Sequence, residues 1–198
     1  MTDISGRVRI LNTEILSDDY YTLSKVTFSW KRANGEWQDS TREVYDRGDG
    51  CAILLFNREK KSVILTRQFR LPAFLNGYRE MLIEAAAGLL DHAEPEQRVR
   101  DEAQEETGYR AHNVTKAFAI FMSPGAVTER LHLFTGEYDP ADRVGKGGGL
   151  ASEGEDIEVL ELGFDEAMAM VADGRICDAK TIVLLQHAAL QVFPHRKT

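Results

Sequence analysis

Between Gly88 and Tyr109 the chain reads GLLDHAEPEQRVRDEAQEETGY, and this segment constrains the fold more than any other. Pro95 suits a first helical position, Glu94 and Glu96 sit at the positive end of a helix dipole, and Gly108 suits a helical stop. A helix over 95–107 is therefore predicted, with strand patterns on both sides. Ahead of it, residues 6–16 and 20–31 alternate apolar and polar, and Asn34-Gly35 marks a hairpin turn into a strand at 37–46. Ala52–Phe56, Val63–Thr66 and Met81–Ala86 read as further strands. Behind the helix come strands at 114–121, 131–138 and 156–162, then helices at 165–173 and 179–192. Such a chain folds as α+β in layers, not as a doubly wound sheet.

Composition narrows the function. The 198 residues fit one domain with a small N-terminal extension, and 43% hydrophobic residues can bury a core. A formal charge of −8 and the lack of a Lys/Arg block argue against a nucleic-acid surface. A phosphorylated small molecule stays compatible if a metal bridges the two negative partners. Cys51 and Cys177 lie far apart without a CxxC spacing and read as small buried hydrophobes of a reducing compartment. The start, MTDISGRVRI, lacks a signal-peptide pattern, and no apolar run approaches the ~20 residues that span a bilayer, so a cytoplasmic location is expected. The histidines show no metal spacing, and no Ser-His-Asp or Cys-His arrangement is evident.

Glu102, Glu105 and Glu106 stand at i, i+3 and i+4, on one helix face and in its last turn. Each like-charged neighbour costs about 0.2–0.5 kcal/mol, and each acid at the negative end of the dipole about 0.3–1 kcal/mol. Alone, three such glutamates would make a solvated acidic face. Here a glycine ends a strand, a short loop follows, and the acidic helix stops at a second glycine. That context favours a hard divalent cation, which takes carboxylate oxygens and leaves positions for phosphate. The run GKGGGLASEGED at 145–156 lacks the Lys-Ser/Thr of a P-loop. It is either a flexible linker or a mobile loop that delivers Glu155 or Glu153 on closure; spacing from Asp156-Ile157-Glu158 favours Glu155.

The segment from Gly88 resembles the Nudix box, G-x5-E-x7-R-E-U-x-E-E-x-G-U with U aliphatic or aromatic. Glu102-Ala103-Gln104-Glu105-Glu106-Thr107-Gly108-Tyr109 matches its second half throughout. Gly88 and Glu94 keep their spacing, but the stretch from Glu94 to Glu102 is one residue short. Asp101 stands where the family has an arginine that orients a glutamate, with Arg100 one place earlier, which leaves that role unassigned. ILSDDYYTL (15–23), REVYDRGDG (42–50), RQFR (67–70), MSPGAVTE (122–129) and GEDIEVLEL (154–162) resemble the bacterial GDP-mannose pyrophosphatase branch, close to the ADP-ribose pyrophosphatases. The likeness covers most of the chain.

The resemblance implies a Nudix α/β/α sandwich at 47–198 behind an N-terminal antiparallel strand region at 1–46. It also implies a homodimer in which the N-terminal strands of one subunit help build the other's site. The expected activity is hydrolysis of the diphosphate linkage of a nucleotide sugar, GDP-mannose giving GMP and mannose 1-phosphate. ADP-ribose or another ADP-sugar is the alternative substrate, and a catalytically inactive nucleotide-binding domain the alternative class. Magnesium, or else manganese, is expected on Glu102, Glu106, the Ala87 carbonyl and Glu155. Glu105 is a third ligand or a group that orients the ligands, and is a catalytic candidate together with Glu155. Glu43, Glu129 and Lys180 match substrate-contacting positions. Arg42 and Arg70, beside strand patterns, are candidates for the substrate phosphates. Tyr20 is either an aromatic at the core edge or a stacking platform for the base.

Overall fold

The structure, a computed structural model, describes residues 3–150, 152 and 154–194. Helices and strands mix as predicted, in two compact units: Met1–Gly48 with Ser123–Arg130, and Asp49–Met122 with Leu131–Thr198.

In the first unit β1 (Val8–Asp18), β2 (Thr22–Lys31) and β3 (Trp37–Asp46) form an antiparallel meander. The β2–β3 turn closes where Asn34-Gly35 predicted it: Gly35 takes φ +89°, and the Arg32 N–H donates to the Glu36 carbonyl at 2.8 Å. Alternation predicted a half-buried β1, yet Ile10, Leu11, Ile15 and Leu16 are all exposed. Ile10 and Leu11, like Ile15 and Leu16, are neighbours that point to opposite faces, and both faces of β1 are exposed along its length; register shifts at Ile10/Asn12 and Ile15/Ser17 interrupt its pairing with β2. Segment 123–130 joins β3 through a bridge between Tyr45 and Val127, backed by a hydrogen bond from Thr128 Oγ1 to Asp46 at 2.9 Å.

The second unit is built on a seven-stranded mixed sheet. Its strands are β4 (Gly50–Asn57), β5 (Ser62–Gln68), β6 (Leu82–Glu84), β7 (Ala86–Leu89), β8 (His112–Phe121), β9 (Arg130–Glu137) and β10 (Glu158–Gly163). The main order is β10-β5-β4-β9-β8, with β4 and β9 parallel. β4 and β5 pair only over Leu55–Asn57 and Ser62–Ile64 and then part. β6 takes over as the partner of β5, and β7 as the partner of β4. The single strand predicted at Met81–Ala86 is therefore two short strands. They carry residues 82–89 into the opening between β4 and β5, and that opening positions the site.

Among the described residues four α-helices accompany the sheet: α1 (Leu71–Leu75), α2 (Pro95–Glu102), α3 (Phe164–Ala172) and α4 (Ala179–Gln191). α1 escaped the sequence pattern, because its start signal is one proline, Pro72, and its Leu71, Phe74 and Leu75 stay exposed. Successive residues of β4 point to opposite faces. Ala52, Leu54 and Phe56 pack with Phe164, Ala167 and Met170 of α3 and Leu184, Leu185 and Ala188 of α4. Cys51, Ile53 and Leu55 pack with Val99 of α2 and with Ala103. Each fully buried aliphatic side chain is worth about 1.5–3 kcal/mol. Cys51 is buried as expected, and burial, then the charge of Glu102, pushes its thiol up to about 12. Cys177 is exposed, against expectation, since it lies in the connection just before Asp178, the N-cap of α4. Among the described residues no helix is long and apolar enough to cross a membrane.

Candidate active site

The predicted helix over 95–107 is α-helical only to Glu102. Ala103–Thr107 wind as a π turn, and Gly108 closes it at φ +78°. The Thr107 hydroxyl donates back to the Ala103 carbonyl, and the Tyr109 N–H donates to that same hydroxyl at 3.2 Å. This local competition for carbonyls loosens the turn. Widened turns of this kind gather at functional sites, and this one carries the acids.

The three glutamates do not share one surface. Glu102 and Glu106 are buried, at 5% and 1% exposure, while Glu105 is half-buried. Glu106 turns toward β7, where its Oε2 accepts from the Ala87 N–H at 3.2 Å. Burial first, then the charges of Glu102 and Glu155, pushes its carboxyl up to about 8, only partly offset by the Ala87 N–H and Arg70. Glu102 fits because Gly88 opposite it has no side chain: a β-carbon there would lie 1.7 Å from Glu102 Oε1.

The arginine that pairs with Glu102 is neither Arg100 nor a residue at position 101. Arg98 forms an ion pair with Glu102 one helical turn on, reaches Glu105 Oε2 at 3.6 Å, and donates through Nε to the Leu89 carbonyl at 3.1 Å. Arg100 faces elsewhere, pairing with Glu96 at 2.8 Å and donating to the Ala111 carbonyl at 2.9 Å. Asp101 is exposed and accepts from Gln97 at 3.0 Å. The i, i+4 spacing of Arg98 and Glu102 was the signal available in the sequence.

In this conformation the glycine run is docked. The Gly148 and Gly149 N–H groups donate to the carbonyls of Glu106 at 2.9 Å and Glu105 at 3.2 Å, satisfying acceptors that a helix end leaves over. Gly147, Gly148 and Gly149 all have positive φ, and a β-carbon at Gly147 would lie 2.5 Å from the Glu106 carbonyl oxygen. Close approach and backbone conformation thus both require glycine at 147. Glu155 follows, its Oε2 accepting from the Leu150 N–H at 2.8 Å, near enough for its charge to act on Glu106. Glu153 lies outside the described residues.

Glu102, Glu106, Glu155 and the Ala87 carbonyl are hard oxygen donors, and Glu106 is buried within reach of the charges of Glu102 and Glu155. That chemistry fits a divalent cation. Among the described residues no three acidic, imidazole or thiol side chains already converge as a ligand set. Cation binding would draw Glu102 from Arg98, Glu106 from the Ala87 N–H and Glu155 from the Leu150 N–H.

Arg70 and Lys180 meet on one buried acid that the motifs did not single out, Glu84 of β6, at 2.7 and 2.5 Å. An acid inside the apolar run Leu82-Ile83-Glu84-Ala85-Ala86 was its signal, since a buried charge needs partners. The other predicted contacts belong to the first unit. Tyr20 is 84% exposed, so it is no core-edge residue, and it packs edge-on to Tyr21 with ring centroids 4.7 Å apart. Arg42 and Glu43 are exposed on β3, with Arg42 Nη1 donating to the Thr41 carbonyl at 2.8 Å. Glu129 is half-buried, 3.6 Å from Arg47 Nε.

Comparison with known proteins fits this geometry. Residues 7–45 match the family described as the GDP-mannose pyrophosphatase NudK N-terminal domain. A GDP-mannose pyrophosphatase of Pectobacterium atrosepticum is 56% identical over 189 residues, which are 95% of this chain and 97% of the relative. One from Cronobacter sakazakii is 52% identical over 189 residues, 95% and 98% of the two chains. One from Salmonella typhimurium is 50% identical over 185 residues, 93% and 96%.

Proposed function

The chain belongs to the GDP-mannose pyrophosphatases of the Nudix hydrolases, and from that membership we propose that it hydrolyses GDP-mannose to GMP and mannose 1-phosphate with Mg²⁺ as cofactor. Water attacks one phosphorus of the diphosphate, the bridging P–O bond breaks, and the bridging oxygen leaves on the other phosphate. The observation that carries the assignment to this site is geometric: Glu102 and Glu106 are both buried beside β7, one against Gly88 and the other on the Ala87 N–H.

Glu102, Glu106, Glu155 and the Ala87 carbonyl would hold the metal, with Mn²⁺ as the alternative ion. A bound divalent cation neutralises charge developing on the phosphate oxygens and lowers the pKa of water. The chain's own groups do the rest. Arg98 keeps Glu102 and Glu105 oriented. The docked glycine run holds Glu155, the candidate to take the proton of the attacking water. Arg70 and Lys180 offer N–H donors to the diphosphate. Tyr20, Arg42, Glu43 and Glu129 are proposed to contact the substrate.

We further propose a cytoplasmic homodimer whose N-terminal strands contribute to the partner's site. The exposed Ile10, Leu11, Ile15 and Leu16 of β1 support an interface there, and two free cysteines suit a reducing compartment. The α/β/α layering is supported by the two core clusters, one with α3 and α4 and the other with α2.

The test is a panel of nucleotide sugars with the purified protein, with and without Mg²⁺. GMP and mannose 1-phosphate should appear from GDP-mannose only with the metal. A preference for ADP-ribose would replace the substrate, and no metal-dependent turnover of any of them would remove the enzyme assignment.

A further inference from the structure

β6 carries one acid, Glu84, into the interior, where its side chain is 4% exposed. Both carboxylate oxygens are engaged by cations from elsewhere in the chain. Oε2 accepts from Arg70 Nε at 2.7 Å, just ahead of α1, and Oε1 from Lys180 Nζ at 2.5 Å, in the first turn of α4. Lys180 is also 3.0 Å from Asp178 Oδ1. Asp178 caps α4 by accepting from the Thr181 N–H at 3.0 Å. The Thr181 hydroxyl donates to Asp178 at 2.6 Å and accepts from the N–H of Ala85 at 2.7 Å. The start of α4 is thereby tied to the residue that follows Glu84.

Two carboxylates and two cations balance, so this cluster holds no surplus charge to attract an anion. It holds direction instead. Arg70 gives only its Nε to Glu84; among the described residues its Nη groups make no hydrogen bond, and its side chain is 40% exposed. Glu84 lies three residues ahead of Ala87, whose N–H donates to Glu106, and the charge of Glu106 acts on the same guanidinium. Lys180 has three N–H donors, and two carboxylates occupy two of them. A pinned Nε fixes the plane of the guanidinium fork, and a pinned ammonium fixes the direction of its remaining proton. Long cationic side chains held in this way lose little further rotamer freedom when substrate arrives.

We propose that Glu84 is a positioning residue: from behind, it aims the Nη groups of Arg70 and the free proton of Lys180 at the diphosphate of the substrate. This rests on the reading above that Arg70 and Lys180 contact the phosphates. Glu84 itself touches no reacting atom. Its own charge would repel phosphate, and the two cations stand on its oxygens as a shield.

A double-mutant cycle tests it, with kcat and KM for GDP-mannose measured in Mg²⁺ on wild type, Glu84→Gln, Arg70→Lys and the double variant. A glutamine oxygen accepts from one cation while its amide N–H turns on the other, so Glu84→Gln should lower kcat/KM about tenfold or more. Arg70→Lys, which keeps the charge but loses the fork, should do the same. The double variant should fall no more than about threefold below the worse single, because both substitutions remove one coupled device. Losses that multiply would overturn the inference, as would an unimpaired Glu84→Gln beside an impaired Arg70→Lys. An unimpaired Arg70→Lys would instead remove the phosphate-contact reading itself. Thermal unfolding of each variant identifies a loss that is only a loss of fold. If Glu84→Gln does not fold, Glu84→Asp takes its place in the same cycle, keeping the charge but shortening the reach.

Discussion

Gly88 and Glu102 occupy one space: a β-carbon on the glycine would lie 1.7 Å from Oε1 of the glutamate and 2.2 Å from its carboxyl carbon. Gly88 does not adopt a left-handed backbone, so room for the carboxylate, and not conformational freedom, is what requires glycine there.

Gly88→Ala should therefore displace Glu102 without unfolding β7. Turnover of GDP-mannose should fall by about a hundredfold, close to 3 kcal/mol of transition-state stabilisation, with an unchanged circular dichroism spectrum. Activity within twofold of wild type would mean that Glu102 can move without consequence.

Glu106 sets the pH behaviour of the metal-free protein. Its folded carboxyl is held up at about 8 against an ordinary 4.5, mainly by burial. Between those values the folded state binds a proton that the unfolded chain does not, so stability falls as pH rises toward 8 and beyond that no longer depends on this group. The thermal midpoint in EDTA should drop between pH 6 and pH 8.5. Mg²⁺ should flatten that slope, and so should Glu106→Gln without metal, while the substitution removes turnover by orders of magnitude. A slope that survives in Glu106→Gln would assign it to another group.

Arg98 and Arg100 should separate cleanly. Arg98→Lys keeps a charge near Glu102 but cannot also hold Glu105 and the Leu89 carbonyl. Turnover should fall about tenfold and the Mg²⁺ concentration for half-maximal rate should rise. Arg100→Ala loses one carbonyl bond and one surface pair, about 0.5–2 kcal/mol of stability, and should leave kcat as it was. Metal titrations of both variants decide; the opposite order would return the orienting role to position 100.

Much of this site was legible because it is local. Glu102, Glu106 and Gly108 lie within one stretch whose spacing alone puts acids at a helix end. Arg98 stands at i, i+4 from Glu102, but the shortened box aligns the family's arginine with positions 100 and 101 and so hides it. The π turn could not be read: α and π winding differ by one step of hydrogen-bond register, which residue spacing does not encode. Glu84, Arg70 and Lys180 meet from three separate segments, so no local pattern announces the cluster. The exposure of β1 could not be read from alternation, which says which residues share a face but not whether anything packs on it.

The loop carboxylates should differ in kind. Glu155 already acts electrostatically on Glu106. Glu155→Gln should lower kcat far more than it weakens substrate binding, whereas Glu153→Gln should do little. Single-turnover rates on the two variants distinguish them, and an unimpaired Glu155→Gln enzyme would place the base elsewhere, with Glu153 and Glu129 next in line.

Removing residues 1–46 should abolish both dimerisation and nucleotide binding, because the exposed apolar residues of β1 go with Tyr20, Arg42 and Glu43. Light scattering and GDP titration check this. A folded, active monomer would show that one subunit builds the whole site.

The amides of Gly148 and Gly149 end on the carbonyls of Glu106 and Glu105, which makes them a clock for the assembly of the site. Their hydrogens are shielded from deuterium in the solvent only while the glycine run and the end of the acidic helix stay together. Isotope uptake at these two positions would therefore time how often the catalytic end of the molecule comes apart, in the resting protein, with neither nucleotide nor metal added.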